Sequence, residues 1–268
     1  LGEIDPVLNE EIRSNGLKEC LEKGAKSSGW QKKRRLKPVK GPRKRGIGLS
    51  VMMHGTGAGK ALPDPAAATV MINADGSVNL VTAAADEGQG NRTVLAQIAA
   101  ETLGIEFDKI SVSETDTDTT PLDCGTHGSR QAYSGGLAVK AAATEARKKL
   151  LAHAQKELGT REAQLRIREG RIFEAKNPDN NILIGDLMRK TQIEDMSVCE
   201  QVIGSAAGVA PAMPGYYGAI FAEVAVDIET GEVNVLKLTT AFDVGRAINP
   251  GLVEGQITGG GVMGMGFA

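Results

Sequence analysis

Aromatic side chains are scarce, 3% of 268 residues, while glycines number 34. A chain so poor in rings must shape its core by close approach of small residues and by glycine turns. The shortage also argues against a stacking platform for bases, because Trp30 is the only aromatic residue near the one strongly basic run. Nucleic acid is therefore not expected as a partner. Cysteine is nearly absent: Cys20, Cys124 and Cys199 are far apart and odd in number, which leaves neither a disulfide framework nor a CxxC metal site. An iron–sulfur cluster normally takes four thiolates, so any cluster serving this chain sits on another polypeptide. His54, His127 and His153 lack metal-ligand spacing. No apolar run reaches the length of a membrane span, and Leu1 opens no signal-peptide pattern, so no membrane partner and a cytoplasmic location are expected. What remains is a chain with 41% hydrophobic residues and a formal charge of -2, the balance of a soluble globular protein with one large domain or two small ones.

The most informative stretch runs from Asp123 to Gly136, DCGTHGSRQAYSGG. Ahead of it, residues 109 to 116 alternate apolar and polar like a half-buried strand; behind it, Leu137 to Leu158 carries a helical pattern. A glycine loop feeding a helix entrance offers backbone N–H groups to an anion. Ser129 and Arg130 add a hydroxyl and a planar five-donor fork, equipment suited to phosphate. The plainer reading is a strand-to-helix connection whose glycines only make turns. A second cluster, DEGQG from Asp86 to Gly90, precedes a helix predicted over Thr93 to Leu103. There the Gln89 amide can donate and accept at once, or Asp86 and Glu87 can serve as cap and first-turn acids.

The rest of the chain reads as scaffold. A short helix is expected from Gly16 to Lys26, capped by Asn15, with Leu17, Cys20 and Leu21 on one side. Gln31 to Arg45 holds nine Lys or Arg residues, no acid and two prolines, a basic linker or partner-facing strap. Residues 46 to 54 read as a strand, and the following glycine stretch is not a P-loop, since Lys60 precedes Ala61. Hairpins are expected around Asp75-Gly76, Glu169-Gly170 and Glu229 to Glu232, a loose segment over Ser205 to Pro214, and a short helix capped by Asp186. The order hairpin, helix, strand, helix, hairpin predicts an α+β class with mixed or antiparallel sheets packed with helices. The expected segments are 1–45, helix and basic linker; 46–160, the first half of a binding region; and 161–268, its second half. The last stretch, Leu252 to Phe267, is so rich in glycine that it makes a poor isolated helix and implies close approach to something.

Three motifs stand in order: DEGQG at 86–90, GTHGSRQAYSGG at 125–136, and DVGRAINP followed by EGQITGGGVMGMG from 243 to 266. Together they resemble the molybdopterin-binding subunit of the xanthine dehydrogenase and aldehyde oxidase family of molybdenum hydroxylases, and the GSR form resembles its bacterial branch. The resemblance extends over nearly the whole chain. It implies an incomplete molybdenum-cofactor-binding domain, with Gly88, Gln89, Gly90, Thr126, Gly128, Ser129, Arg130 and Gln131 contacting the pterin or its phosphates and Gln256 hydrogen-bonding the cofactor from the final helix.

It further implies molybdopterin, as the cytosine dinucleotide carrying Mo, whose dithiolene sulfurs hold the metal so that the chain needs no metal-ligand cluster. The implied chemistry is hydroxylation of an N-heterocycle, aldehyde or related electron-poor carbon with water as oxygen source. The implied partners are the rest of the molybdopterin subunit, a [2Fe-2S] subunit, an FAD subunit and a small-molecule substrate. The family's general-base glutamate belongs to a Gly-x-Gly-Glu segment beyond Ala268, and Glu87 and Glu254 are the wrong carboxylates by position. No catalytic residue is therefore assigned, and the isolated chain, a fragment or a split subunit, is expected to be inactive. The alternative is a non-catalytic assembly or binding module that recognises a redox partner through the basic strap.

Overall fold

A computed structural model describes residues 1–6, 9–36, 40–58, 64–194 and 200–268. Cys199, the Lys60-Ala61 pair and part of the basic strap, Lys37 to Val39, lie outside the described residues. In chain order the elements are α1 Leu17–Ser28, α2 Trp30–Lys33, β1 Arg43–Gly55, β2 Pro65–Ile72, β3 Val78–Thr82, α3 Asn91–Leu103, β4 Ile110–Val112, α4 Gly136–Leu158, β5 Leu165–Arg168, β6 Arg171–Glu174 and β7 Asn177–Leu183. They continue with α5 Ile184–Arg189, β8 Val202–Val209, β9 Gly215–Asp227, β10 Val233–Asp243 and α6 Pro250–Phe267. This is the α+β architecture with mixed and antiparallel sheets that the residue patterns predict.

Two compact units form: Leu1–Thr56 with Ala212–Ala268, and Gly57–Pro211. They divide the chain differently from the consecutive segments 1–45, 46–160 and 161–268. The reason is a long-range pairing: β1 runs antiparallel to β9 through its whole length, from Arg43 opposite Asp227 to Gly55 opposite Gly215. Strand pairing between segments so far apart leaves no local sequence signal.

In the first unit the sheet order is β1-β9-β10, and α1 packs through Cys20, with Leu21 and Ala25, on Ala219 and Phe221. Gly24 is required here, since a Cβ would lie 2.4 Å from the Phe221 ring. Asn15 Oδ1 does accept from the Leu17 N–H at 3.0 Å, but Gly16 occupies the cap position and its own N–H is taken by Asp243 at 2.9 Å. The basic run is shorter than expected, because Arg43 to Arg45 already belong to β1. Two of its cations have partners within the unit: Lys33 pairs with Glu223 at 2.5 Å, and the Arg34 guanidinium lies 5.1 Å from the Trp30 ring centre. In α6, Asn249 accepts from the Leu252 N–H at 3.1 Å with Pro250 in the first turn, so a strong start signal carries a glycine-rich helix.

The second unit is built on the four-stranded sheet β4-β3-β2-β8, whose one parallel pair, β3 with β4, makes it mixed. α3 and α4 lie together against it, closing a core of Val70, Ile72, Leu80, Leu95, Leu103, Val139 and Leu150 among others. Each such side chain, fully buried, contributes about 1.5–3 kcal/mol. A second sheet, β5-β6-β7, adds a third strand to the expected hairpin.

The segment read as loose, Ser205 to Pro214, begins inside β8, which pairs along β2 from Pro65–Val209 to Ile72–Val202. Its small residues misled the composition-based reading: Gly204 faces α4 so closely that a Cβ would lie 2.1 Å from the Ala142 carbonyl oxygen. Glycine density here marks contact between backbones. Asp186 sits in the first turn of α5 and pairs with Arg189, while Leu183 takes the cap position. None of the described helices is long and apolar enough to cross a membrane.

Candidate functional site

β3 ends at Thr82 and leads through Ala84 and Ala85 into the DEGQG loop. Burial alone would raise the Asp86 pKa, but N–H donors from Arg92, Gly88, Gly90 and Asn91 outweigh it and hold the carboxyl below its ordinary value. The measured contacts are Gly88 N–H at 3.0 Å and Gly90 N–H at 3.2 Å on Oδ1, and Arg92 N–H at 3.1 Å on Oδ2. Asp86 therefore satisfies the N–H groups expected to face an anion, and it complements the positive end of α3.

Gln89 also turns back on its own loop. Its Oε1 accepts from the Glu87 N–H at 2.7 Å, and its Nε2 donates to the Ala85 carbonyl at 3.1 Å. The expected double use of the amide occurs, with protein backbone as the partner. Because the folded Asp86 pKa is depressed, its stabilisation is present above the unfolded carboxylate value, about 3.9, and is lost as pH falls through the folded value. An Asp86→Ala variant is expected to lose about 0.5–2 kcal/mol at neutral pH, with a smaller difference from wild type in strong acid. Urea titrations at both pH values check this, and an unchanged difference would show that the carboxylate does not hold the loop.

The Asp123–Gly136 stretch is organised from beneath by Arg130, whose side chain is fully buried at 0% exposure. Nη1 donates to Asp123 Oδ1 at 2.6 Å and the Gly125 carbonyl at 2.9 Å; Nη2 donates to the Asp64 and Pro65 carbonyls at 3.4 and 2.8 Å. Nε approaches Asp64 Oδ1 to 2.5 Å as an ion pair, off the line that a hydrogen bond prefers. The two Nη groups thus make four hydrogen bonds to protein oxygens, and Nε rests against a carboxylate. This corrects the expected direct phosphate contact: Arg130 shapes the loop from inside.

Gln131 is buried as well. Its Nε2 faces Asp123 Oδ1, the Gly125 carbonyl and the Thr126 hydroxyl at 2.9, 3.1 and 3.4 Å, so it too supports the loop instead of facing outward. Gly135 and Gly136, read as room for a ligand, are room for the chain itself. A Cβ would lie 2.7 Å from Gln131 Oε1 at the first and 2.8 Å from Ile98 at the second.

What the loop presents outward is backbone. Arg130 N–H donates to the His127 carbonyl at 3.0 Å, with Gly128 at φ 53° and Ser129 at φ 56°, a turn of type I′. A left-handed serine costs about 1–2 kcal/mol. Among the described residues, the backbone N–H groups of Thr126, His127, Gly128 and Ser129 and the Ser129 hydroxyl make no hydrogen bond. His127, Gly128 and Ser129 are exposed. After the turn the chain makes one π-type turn over Gln131–Gly135 before α4 begins, a feature common at functional sites.

The two glycine loops meet on one atom. The Ala85 carbonyl accepts from Gln89 Nε2 at 3.1 Å, from Asn91 Nδ2 at 3.4 Å and from the Thr126 hydroxyl at 2.7 Å. The structure thus brings Gly88, Gln89 and Gly90 together with Thr126, Gly128, Ser129, Arg130 and Gln131 within the unit Gly57–Pro211. Gln256 is exposed on α6, in the other unit. Glu87 and Glu254 are exposed and take no place in the buried network. Among the described residues no cluster of His, Cys, Asp or Glu has metal-holding geometry.

Asp64 escaped the sequence reading altogether. Its side chain is 2% exposed, its Oδ1 pairs with Arg130, and its Oδ2 accepts from the Ala58 N–H and the Ser134 hydroxyl at 3.3 and 3.4 Å. A lone Asp before a proline has no motif; only its partners reveal it.

The structure is thus an α+β fold whose paired glycine loops rest on a buried ion-pair network. Residues 23–268 match the molybdopterin cofactor-binding domain, and the chain belongs to that family. A xanthine dehydrogenase molybdenum-binding subunit from Escherichia coli O157:H7 is 31% identical over 269 residues, covering 100% of this chain and 36% of the relative. Among solved structures, reconstituted CO dehydrogenase from Oligotropha carboxidovorans superposes with a TM-score of 0.83 at 26% identity, over 97% of this chain and 34% of that one. Quinoline 2-oxidoreductase from Pseudomonas putida 86 shares the fold, with a TM-score of 0.84 at 24% identity over 97% of this chain and 34% of its own. The chain spans about a third of the length of these proteins.

Proposed function

We propose that this chain is the cofactor-binding part of a bacterial-type molybdenum hydroxylase that oxidises an electron-poor carbon of an N-heterocycle, aldehyde or related substrate. The observation that carries the reading is the union of the two glycine loops on the Ala85 carbonyl, beside a run of N–H groups from Thr126 to Ser129 that make no hydrogen bond among the described residues. These donors and the Ser129 hydroxyl suit a phosphate or pyrophosphate, which accepts several hydrogen bonds at once. Gly88 and Gly125 leave open space where a Cβ would stand, so a flat ring system can approach backbone there. The residues present thus suit a phosphate-bearing molybdopterin, and the form we propose is the cytosine dinucleotide.

In this reading Thr126, Gly128 and Ser129 hold the phosphates and Gly88 to Gly90 border the pterin. Arg130 and Gln131 act from below. When bound, the group supplies metal-centred two-electron oxidation with water as the oxygen source. The chain's own residues bind and orient it and keep the loops in register. In this reading none of the chain's own carboxylates is assigned as general base, and separate [2Fe-2S] and FAD subunits carry electrons away. Residues 1–268 alone are accordingly expected to turn over no heterocycle or aldehyde with an added electron acceptor.

The test is to purify the complete protein with its natural partners, release nucleotide with acid, and assay cytosine monophosphate and molybdenum. Both are expected in equal amounts. Molybdenum without cytosine monophosphate would replace the dinucleotide with simple molybdopterin, and the absence of both would overturn the reading.

A further inference from the structure

Beneath the outward turn lies a buried lattice with two carboxylates and one guanidinium. Asp64 and Asp123 have side chains 2% and 1% exposed, and both pair with Arg130. Among the described residues two acids face one arginine here, beneath N–H groups that, in the reading above, hold an anion. A site selected only for attraction to phosphate would not place a second carboxylate there, since like charges repel strongly where water is excluded. Geometry explains it. Asp123 holds Nη1, the Gly125 N–H at 2.8 Å and Gln131 Nε2. Asp64 holds Nε and, through Oδ2, the Ala58 N–H and the Ser134 hydroxyl.

Each carboxylate thus ties the guanidinium to a different segment: Asp123 to the start of the glycine loop, Asp64 to residues 57–58 and the π-type turn. The Gly57 N–H in turn donates to the Gly128 carbonyl at 2.8 Å, in the middle of the type I′ turn. Asp64 therefore reaches that turn by two routes, through Arg130 and through Gly57-Ala58. Among the described residues its Oδ1 accepts no hydrogen bond, and the His127 Nε2 stands 4.0 Å away on a side chain 51% exposed.

We propose that Asp64 is a positioning residue for phosphate binding: it fixes the direction in which the N–H groups of Thr126 to Ser129 point, without touching the ligand. This deepens the cofactor reading and rests on it. The electrostatic cost of the extra carboxylate is accepted because two opposed anchors hold a planar cation, and the turn above it, in one orientation.

The experiment uses the complete protein with its partners and three variants, Asp64→Asn, Asp64→Glu and Ser134→Ala. It reads phosphorus NMR of the bound cofactor beside nucleotide content and thermal midpoint. Asp64→Asn is expected to shift or broaden the phosphorus resonances of the folded protein and lower nucleotide content at least several-fold. Asp64→Glu should restore part of both. Ser134→Ala keeps every charge and the fold, and should move the resonances in the same direction by less. A merely structural role would lower the midpoint and leave the resonances of the folded fraction where they were.

Wild-type resonances in Ser134→Ala together with either folded Asp64 variant overturn the proposal. If Asp64→Asn does not fold, wild-type resonances in Ser134→Ala alone overturn it. Wild-type protein devoid of bound organic phosphate overturns the cofactor reading instead, so the two failures are distinct.

Discussion

Arg130→Ala is expected to cost about 3–5 kcal/mol of folding free energy, the loss typical when one partner of a buried ion pair is deleted. Few residues in the chain should cost as much. The guanidinium is fully buried and touches Asp64, Asp123 and three backbone carbonyls, from Asp64, Pro65 and Gly125. Removing it leaves two buried carboxylates that, among the described residues, have no other Lys or Arg within ion-pair distance.

Arg130→Lys should lose less but still suffer, because an ammonium is a point charge with three donors and cannot span both acids and three carbonyls. Combining Arg130→Met with Asp64→Asn and Asp123→Asn should recover part of the loss, as charge is removed on both sides. Urea denaturation of the four proteins decides the matter. A loss under about 1 kcal/mol for Arg130→Ala would show that the guanidinium is solvated and the lattice unimportant. Ser129→Ala provides the contrast: its hydroxyl binds nothing among the described residues, so stability should stay within about 0.5 kcal/mol while nucleotide retention falls.

Gly204→Ala is the second large effect, and it arises from a single methyl group. At this position a Cβ would stand 2.1 Å from the Ala142 carbonyl oxygen and 2.4 Å from the Ala146 nitrogen. Both are helix backbone, so no side chain can swing aside. β8 must move away from α4, opening the core lined by Val70, Val139, Ala142, Ala146 and Val202. Two local ties should strain with it: the Ser205 N–H to Glu145 at 2.8 Å and Lys149 to the Ile203 carbonyl at 2.7 Å. Overpacking usually costs about 1–3 kcal/mol, and a backbone collision belongs at or above the top of that range. For a unit of this size the thermal midpoint should drop by on the order of 10 °C. Gly208→Ala, on the same strand with open space at its Cβ, should change the midpoint little. Equal effects at the two positions would remove the close-packing explanation.

Local pattern was enough for much of the scaffold. Helical spacing and alanine content announced α3 and α4, and the Asp75-Gly76 turn announced the β2-β3 hairpin. The exception that instructs is β8, whose glycines and alanines look like a loop when read alone and are a strand because α4 lies on it. The candidate site divides the same way. The motifs located both glycine loops, yet the role of each residue within them depended on direction. Arg130 and Gln131 carry the right chemistry for a ligand and spend it inward, while Gln89 spends its amide on Ala85 and Glu87. Asp64 had no signal, because the partner that gives it meaning is Arg130, more than sixty residues away.

The amino-acid order by itself determined the class of fold, the family, and the two loops where backbone can meet a ligand. Those depend on spacing over a few residues, turn chemistry and capping, all local. Only the tertiary structure decided that β1 joins β9, that the loops meet on the Ala85 carbonyl, and that the arginine in the central motif faces a buried pair of acids. A side chain's donors can be counted from its letter, but their targets are set by which distant segment packs beside it. Water exclusion at that contact then makes the choice binding, because leaving the guanidinium without its carboxylates there would be costly.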